Sequence, residues 1–434
     1  MIQETILDKI LYRVKKLIPR RVFEYFQPMY HEALAYGGAL RYGFPSRRMK
    51  VIGVTGTKGK STTVFLITKI LEGSGHSVAA IGSLGFKIKD REWPNTLKMT
   101  MPGRFRLQKF LAEAKRAGCE YVVLEVTSEG IKQKRHLGIT FDCAVFTNLH
   151  KEHLESHGSI ENYIKAKQEL FQVGDHFQVL NVDDPHFEDF DKFAAEKKIT
   201  YGLEKGDIKP EQATINEDHS VFQVGSEVIR LNLGGAFNVS NALAAWSVGT
   251  LYEVEPAVIK NSLEKIESIP GRLEFIQKEP FNVVVDYAHT PDSLEAVYST
   301  LKKKRPDLTN EVGPRPKLIC VLGAAGGGRD KWKRPEFGAL AEKYCDEIFL
   351  TDEDPYDENP TAILDQVQSG ILSQSLPIHR ILDRKEAISQ AIGTAQVGDT
   401  VVITGKGSEI SMAVANGKKI PWSDKEIVKE FLKR

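Results

Sequence analysis

Residues 50–62 read KVIGVTGTKGKST: a short apolar run, a glycine-rich turn, then the start of a helix pattern. Val51, Ile52 and Val54 suit a buried strand. Val64, Ile67, Ile70 and Leu71 recur at helical spacing, and Gly73 and Gly75 end the pattern. In the turn, Gly56, Thr57, Lys58 and Gly59 can offer backbone N–H groups to phosphate oxygens, aided by the helix N-terminus. Lys60 can neutralise the β- and γ-phosphates, and the Ser61 hydroxyl, followed by Thr62, can ligate Mg²⁺. The stricter GxxxxGK[ST] pattern wants glycine at Val54, so this is a shorter variant. The strand before it and the amphipathic helix after it argue against a chance Gly-Lys-Ser in a surface loop.

Further apolar runs follow at 78–81, 121–126, 143–146, 178–182, 283–285, 318–322, 348–350 and 401–403, separated by helical patterns such as 104–117 and 161–171. Strand–helix alternation over this length predicts an α/β fold with mainly parallel sheets. Residues 207–233 break the rhythm with shorter alternating segments, as a small β excursion would. Pro and Gly interrupt the rhythm at 269–271, and a second break falls at 45–48. The expected organisation is a short helical N-terminal segment (1–48), a P-loop central domain (49–269) and a Rossmann-like C-terminal domain (270–434).

The chain has 434 residues, 41% hydrophobic and 27% charged, as a globular protein of about three domains would. Lys and Arg total 59 against 58 for Asp and Glu, a net charge of +1, which gives nucleic acid no electrostatic footing. Cys119, Cys143, Cys320 and Cys345 form no CxxC pair. They read as buried reduced thiols of a cytoplasmic protein. No apolar stretch approaches the 18 residues of a membrane span, and Glu4 and Asp8 argue against a signal peptide. Ile2, Ile6, Ile10, Val14, Leu17 and Ile18 fall at helical spacing, opposite Lys9, Arg13, Lys15 and Lys16. That pattern fits a helix docked on its own protein, or a basic amphipathic helix in peripheral contact with a membrane surface.

Glu125 ends a buried strand, where ligands bind in open α/β sheets. It reads as a Mg²⁺ ligand beside the phosphates or as a solvated strand-end acid. Residues 148–157 (NLHKEHLESH) place three histidines and two glutamates in eight positions after another strand. Lys165 and Lys167 follow on a helix, where lysine is ordinarily solvated.

Together these motifs resemble the Mur ligase family, ATP-dependent amide ligases of peptidoglycan precursor synthesis, and within it the branch that adds the third residue of the stem peptide. The resemblance runs from about Lys50 to Leu432 and rests on several motifs in order. It implies that Gly56–Thr62 is the ATP loop, with Lys58 where asparagine is usual. It implies two Mg²⁺ sites drawing on Ser61, Glu125, His153 and Lys167, the lysine carbamylated and so converted to a carboxylate-like ligand. Asn238, Asn241, Arg272, Asp286 and His289 fall in nucleotide-contacting segments. Thr100, Thr127, Gln133 and Arg135 fall where the sugar-peptide donor is held, and Arg329, Gly405 and Glu409 where the incoming amino acid is held. Lys60, Lys167, His153 and Glu125 are thereby the expected catalytic set.

Three departures stand out. The stretch before the ATP domain is about 48 residues, shorter than the family's UDP-binding domain. The usual Thr-Thr-Pro segment reads Thr100-Met101-Pro102. The diaminopimelate signature Asp-Asn-Pro-Arg reads Glu353-Asp354-Pro355-Tyr356, and tyrosine cannot pair bidentately with a distal carboxylate. Asp352, Glu353, Asp354, Asp357 and Glu358 make that loop acidic. It either favours an ammonium side chain such as lysine or ornithine, or is simply solvated. The expected chemistry is an acyl phosphate made from ATP and the donor carboxylate, then attacked by the amino acid's amine, in a monomer that takes only small-molecule substrates. Competing expectations are a folylpolyglutamate or cyanophycin-type ligase and a non-catalytic nucleotide-binding module.

Overall fold

The computed structural model describes residues 20–97, 99–152, 154–302 and 315–433. The apolar positions of 2–18 and His153 lie outside the described residues. An eight-stranded sheet forms the first layer system: β1 (Lys50–Thr55), β2 (Val78–Gly82), β3 (Gly85–Ile88), β4 (Arg91–Trp93), β5 (Tyr121–Glu125), β6 (Phe141–Phe146), β7 (Gly174–Asn181) and β8 (Lys197–Tyr201), in the order 4-3-2-5-1-6-7-8. Only the β2–β3 and β3–β4 pairings are antiparallel. β1 is central because its side chains are apolar on both faces. Ile52 and Val54 pack into one core and Val51 into the other, the period-two split of a doubly covered strand. Helices Lys60–Gly73 and Ala236–Leu251 cover the first face, and Arg104–Arg116 and Ile160–Val173 the second.

The expected β excursion is a three-stranded antiparallel sheet of β9 (Ala213–Ile215), β10 (Ser220–Val224) and β11 (Glu227–Leu231). A six-stranded sheet follows: β12 (Glu274–Gln277), β13 (Asn282–Asp286), β14 (Leu318–Leu322), β15 (Glu347–Leu350), β16 (Ile378–Arg380) and β17 (Thr400–Thr404), in the order 12-13-17-14-15-16, with only β12 antiparallel. A hairpin, β18 (Ser411–Val414) and β19 (Lys418–Pro421), extends from it. The fold is therefore α/β with mainly parallel sheets. No helix among the described residues is long and apolar enough to cross a membrane.

Two parallel sheets set the site. In the first, the carboxyl ends of β1, β5 and β6 release the Gly56 loop, Glu125 and the 147–152 segment side by side, because β1 pairs with both neighbours. In the second, the carboxyl ends of β13, β14, β15 and β17 release the loops carrying His289, Arg329, Glu353 and Glu409. Arg384 and Asp424, both fully buried, tie the last helix to the second sheet. Arg384 also donates to the Thr404 carbonyl at 2.8 Å, at the end of β17.

One sequence expectation is corrected. Cys320 and Cys345 are joined in a disulfide, with Cα atoms 6.0 Å apart, whereas Cys119 and Cys143 are free and buried. Cys320 lies on β14 and Cys345 just before β15, its parallel neighbour. A separation of 25 residues hides that adjacency from the sequence.

Candidate active site

The glycine loop after β1 is held by the segment after β6. The amide of Thr57 donates to the Asn148 carbonyl at 2.8 Å, that of Lys58 to Asn148 Oδ1 at 2.8 Å, and the Thr147 hydroxyl to the Lys58 carbonyl at 2.7 Å. Glycine is required twice. At Gly56 a Cβ would lie 1.9 Å from Thr147 Oγ1. At Gly59, with φ near +79°, it would lie 2.2 Å from Asn241 Oδ1. Asn241 also accepts from the Thr63 hydroxyl at 3.3 Å, and Asn238 caps back onto the Gly234 carbonyl at 2.8 Å, so the Ala236–Leu251 helix is fixed against the loop. Thr62 is buried beneath it.

Lys60 Nζ donates to the carbonyls of Gly56 at 3.0 Å and Thr57 at 2.8 Å. Burial lowers its pKa, opposed by the charges of Glu125 and Glu152. Lys167 is almost completely buried on the Ile160–Val173 helix, whereas Lys165 two positions earlier is exposed. Lys167 Nζ donates to the same Gly56 carbonyl at 2.6 Å and sits 4.5 Å from the Tyr163 ring centroid. Burial, followed by repulsion from Lys60, pushes its pKa well below the ordinary lysine value.

Glu125 Oε2 accepts from the Ser61 hydroxyl and the Ser83 amide, each at 2.9 Å. Arg272 reaches across from the second sheet to Ser83 Oγ at 3.1 Å and Ser61 Oγ at 3.5 Å, and stacks 4.5 Å from the Tyr287 ring. No group of three or more His, Cys, Asp or Glu side chains among the described residues forms a metal cage. Mg²⁺ commonly takes one or two carboxylates with phosphates and waters, and the hard oxygens of Ser61 and Glu125 suit that mode.

Glu152, Ser83 and Tyr163 are site residues that sequence reasoning passed over. Glu152 is buried, pairs with Lys58 Nζ at 3.2 Å, and lies 4.0 Å from His289 Nε2, bridging the two sheets' loops. Its signal was its place in the His- and Glu-rich 148–157 run. Tyr163 stands four residues before Lys167 on one helical face and contacts Thr57 Oγ1 at 3.1 Å. Ser83 carried no signal. His289 Nδ1 contacts the Tyr287 carbonyl at 2.7 Å, and burial drives its pKa well down, so the ring is neutral. Asp286 accepts the amides of Leu273 and Ala288, each at 2.6 Å, and so fixes this loop.

The donor-side residues cluster on one edge. Arg135 is buried and donates to the Met101 carbonyl and, at 2.7 Å, to Gln133 Oε1. Arg104 donates to the Gln133 carbonyl. Thr127 caps the short helix after β5 by accepting the Gly130 amide at 3.1 Å. Thr100 is half-buried beside Met101. Neither arginine has a carboxylate within ion-pair distance among the described residues, although the charge of Glu129 acts on Arg135; burial, with repulsion from Arg135, lowers the Arg104 pKa to about 10.

On the acceptor side, three of the five acids in the 352–358 run have partners outside it. Asp354 accepts from Lys406 at 3.0 Å and from the Ala413 amide at 2.7 Å, and Asp357 accepts the Asn416 amide at 2.6 Å. Glu358 pairs with Arg334 at 3.1 Å and Lys331 at 3.3 Å. Glu353 and Asp352 have no ion-pair partner within 4 Å among the described residues, so the run is compensated only in part. Tyr356, at φ near +54°, accepts from Arg329 at 3.4 Å. Glu409 pairs with Lys406 and accepts from Tyr287 at 3.5 Å. Gly405 leaves space against Glu353 Oε2, which a Cβ would approach to 2.6 Å.

Comparison with known proteins agrees with this geometry. Residues 54–249 match the Mur ligase middle domain, and residues 271–407 match the Mur ligase glutamate ligase domain. The chain is 36% identical over 417 residues to a UDP-N-acetylmuramoyl-L-alanyl-D-glutamate–2,6-diaminopimelate ligase of Syntrophomonas wolfei, covering 94% of this chain and 83% of that one. A solved structure of a ligase with the same name superposes with a TM-score of 0.64 at 30% identity, covering 93% of this chain and 83% of that one. The MurF ligase of Thermotoga maritima, solved in complex with ADP, superposes with a TM-score of 0.67 at 19% identity and shares the fold, with 93% and 83% covered.

Proposed function

The chain belongs to the Mur ligase family, and from that premise we propose that it joins an amino acid to the free carboxylate of a UDP-N-acetylmuramoyl-dipeptide-like donor through an acyl phosphate. It is an ATP-dependent acid–amino-acid ligase of peptidoglycan precursor synthesis. The observation that supports the assignment is that the two sheets' loops meet: Arg272 reaches Ser83 beside Ser61 and Glu125, and Glu152 lies between Lys58 of the glycine loop and His289, which lines the cavity of Arg329 and Glu353. We assign residues 49–269 to the ATP-binding domain and 270–434 to the acceptor-binding domain.

In the first step the donor carboxylate attacks the γ-phosphorus of ATP and ADP leaves. Phosphoryl transfer of this kind is served by positioning and charge neutralisation. The loop amides and Lys60 hold the phosphates. Arg104 and Arg135 hold the donor's anionic groups, which supply the carboxylate partners they lack. Ser61 and Glu125 would hold Mg²⁺, which when bound neutralises developing phosphate charge. Lys167 is proposed to carry a carbamate: burial favours the uncharged amine, the form that attacks CO₂, and the product is an anion near Lys60. In the second step Arg329 holds the amino acid's carboxylate while its amine attacks the acyl carbon and phosphate leaves. Approach of the second sheet's loops excludes water from the acyl phosphate.

Phosphate release from ATP, measured with UDP-N-acetylmuramoyl-L-alanyl-D-glutamate and each of lysine, ornithine and diaminopimelate, tests the assignment. Release that needs both donor and amino acid, with a product heavier by one amino-acid residue, is expected. Donor-independent release, or release with glutamate on a folate acceptor instead, would overturn it.

A further inference from the structure

The second step needs a base. An amino acid's α-amine is protonated at neutral pH, and an ammonium has no lone pair with which to attack. We propose that Glu353 is the general base that takes this proton, an inference that rests on the acyl-phosphate reading above.

Glu353 follows β15 at its carboxyl end. It lines one small cavity with Arg329, His289, Asp330 and Lys333, so an amino acid whose carboxylate is held by Arg329 would bring its amine toward Glu353. The side chain is 5% exposed, and Oε2 is buried with no hydrogen-bond partner among the described residues. A buried polar atom without a partner is costly unless a ligand completes it. Gly405 permits this placement, because a Cβ there would lie 2.6 Å from Glu353 Oε2.

The neighbouring carboxylates are engaged. Asp354 is bound to Lys406 and the Ala413 amide, and Glu409 to Lys406 and Tyr287. Asp352 accepts the amide of Glu353 itself at 2.9 Å. Burial raises the Glu353 pKa to about 7, with Asp354 and Glu409 adding to the rise and Arg384 and Lys406 opposing it. A carboxylate poised there accepts a proton near neutral pH and returns it to solvent. Arg329 and Tyr287 also face it from the opposite wall.

The step balances. Glu353 takes one proton from the ammonium, and the freed lone pair forms the C–N bond. The C–O bond to phosphate breaks, and the second nitrogen proton leaves with the phosphate as hydrogen phosphate. Protonated Glu353 is then reset by water.

Hydroxylamine separates this role from others, because it is already neutral at neutral pH and attacks an acyl phosphate unaided. With the full chain, ATP, the dipeptide donor and the amino acid chosen by the phosphate-release assay, Glu353→Gln is expected to lower kcat for amide formation by about 10²–10⁴-fold. KM for the amino acid should change little, and the variant's rate should climb tenfold per pH unit as the amine deprotonates itself. Hydroxamate formation from hydroxylamine should continue in the same variant, and Glu353→Asp should recover part of the amide rate. Equal loss with both nucleophiles would overturn the proposal. So would a loss confined to KM with the parent pH profile, or the pH signature appearing in Asp330→Asn instead. Failure of the parent protein to form any hydroxamate would instead sink the acyl-phosphate reading on which it rests.

Discussion

Lys60→Ala is expected to lower the ligation rate by about 10³-fold or more, the range seen when one phosphate-neutralising cation is removed. Lys60 is the loop's own cation, and its two contacts with the Gly56 and Thr57 carbonyls hold it where the phosphates enter. Losing those contacts costs about 1–3 kcal/mol of local stability, too little to unfold a chain with two large cores. Circular dichroism should therefore match the parent while phosphate release vanishes. Normal ligation by Lys60→Ala would remove the ATP loop from the account.

Lys167→Ala should be as damaging, for a different reason. Lys167 shares the Gly56 carbonyl with Lys60 and lies under the loop rather than in the crevice. If it carries a carbamate, alanine removes an anion that balances Lys60, and a small added carboxylate should restore part of the activity. Bicarbonate depletion should likewise slow the parent protein and leave Lys167→Ala unchanged. Normal activity of Lys167→Ala without any added carboxylate would show the carbamate assignment to be wrong.

The fold was largely legible because local signals agreed with each other. The 50–62 run announced a strand, a phosphate turn and a helix, and these stand at β1 and Lys60–Gly73. The run at 318–322 matches β14 residue for residue. What stayed hidden was tertiary. Residue type does not distinguish Lys167 from Lys165; their two-position offset, about half a turn of helix, puts one on the buried face and the other in solvent. Five acids in seven positions read as charge, but Asp354 and Glu358 pair with Lys406, Arg334 and Lys331 and Asp357 accepts a backbone amide, partners that no local pattern shows. The Cys320–Cys345 pairing depends on β14 lying beside β15. Glu152 was visible as part of an unusual run, but its bridge to His289 required the second sheet to be placed.

Oxygen tracing tests the acyl phosphate most directly. With both oxygens of the donor's reacting carboxylate labelled with ¹⁸O, attack on the γ-phosphorus followed by C–O cleavage transfers one of them. Inorganic phosphate released during ligation should then carry an ¹⁸O atom, the other remaining in the amide. Unlabelled phosphate, or label recovered in AMP, would contradict the account.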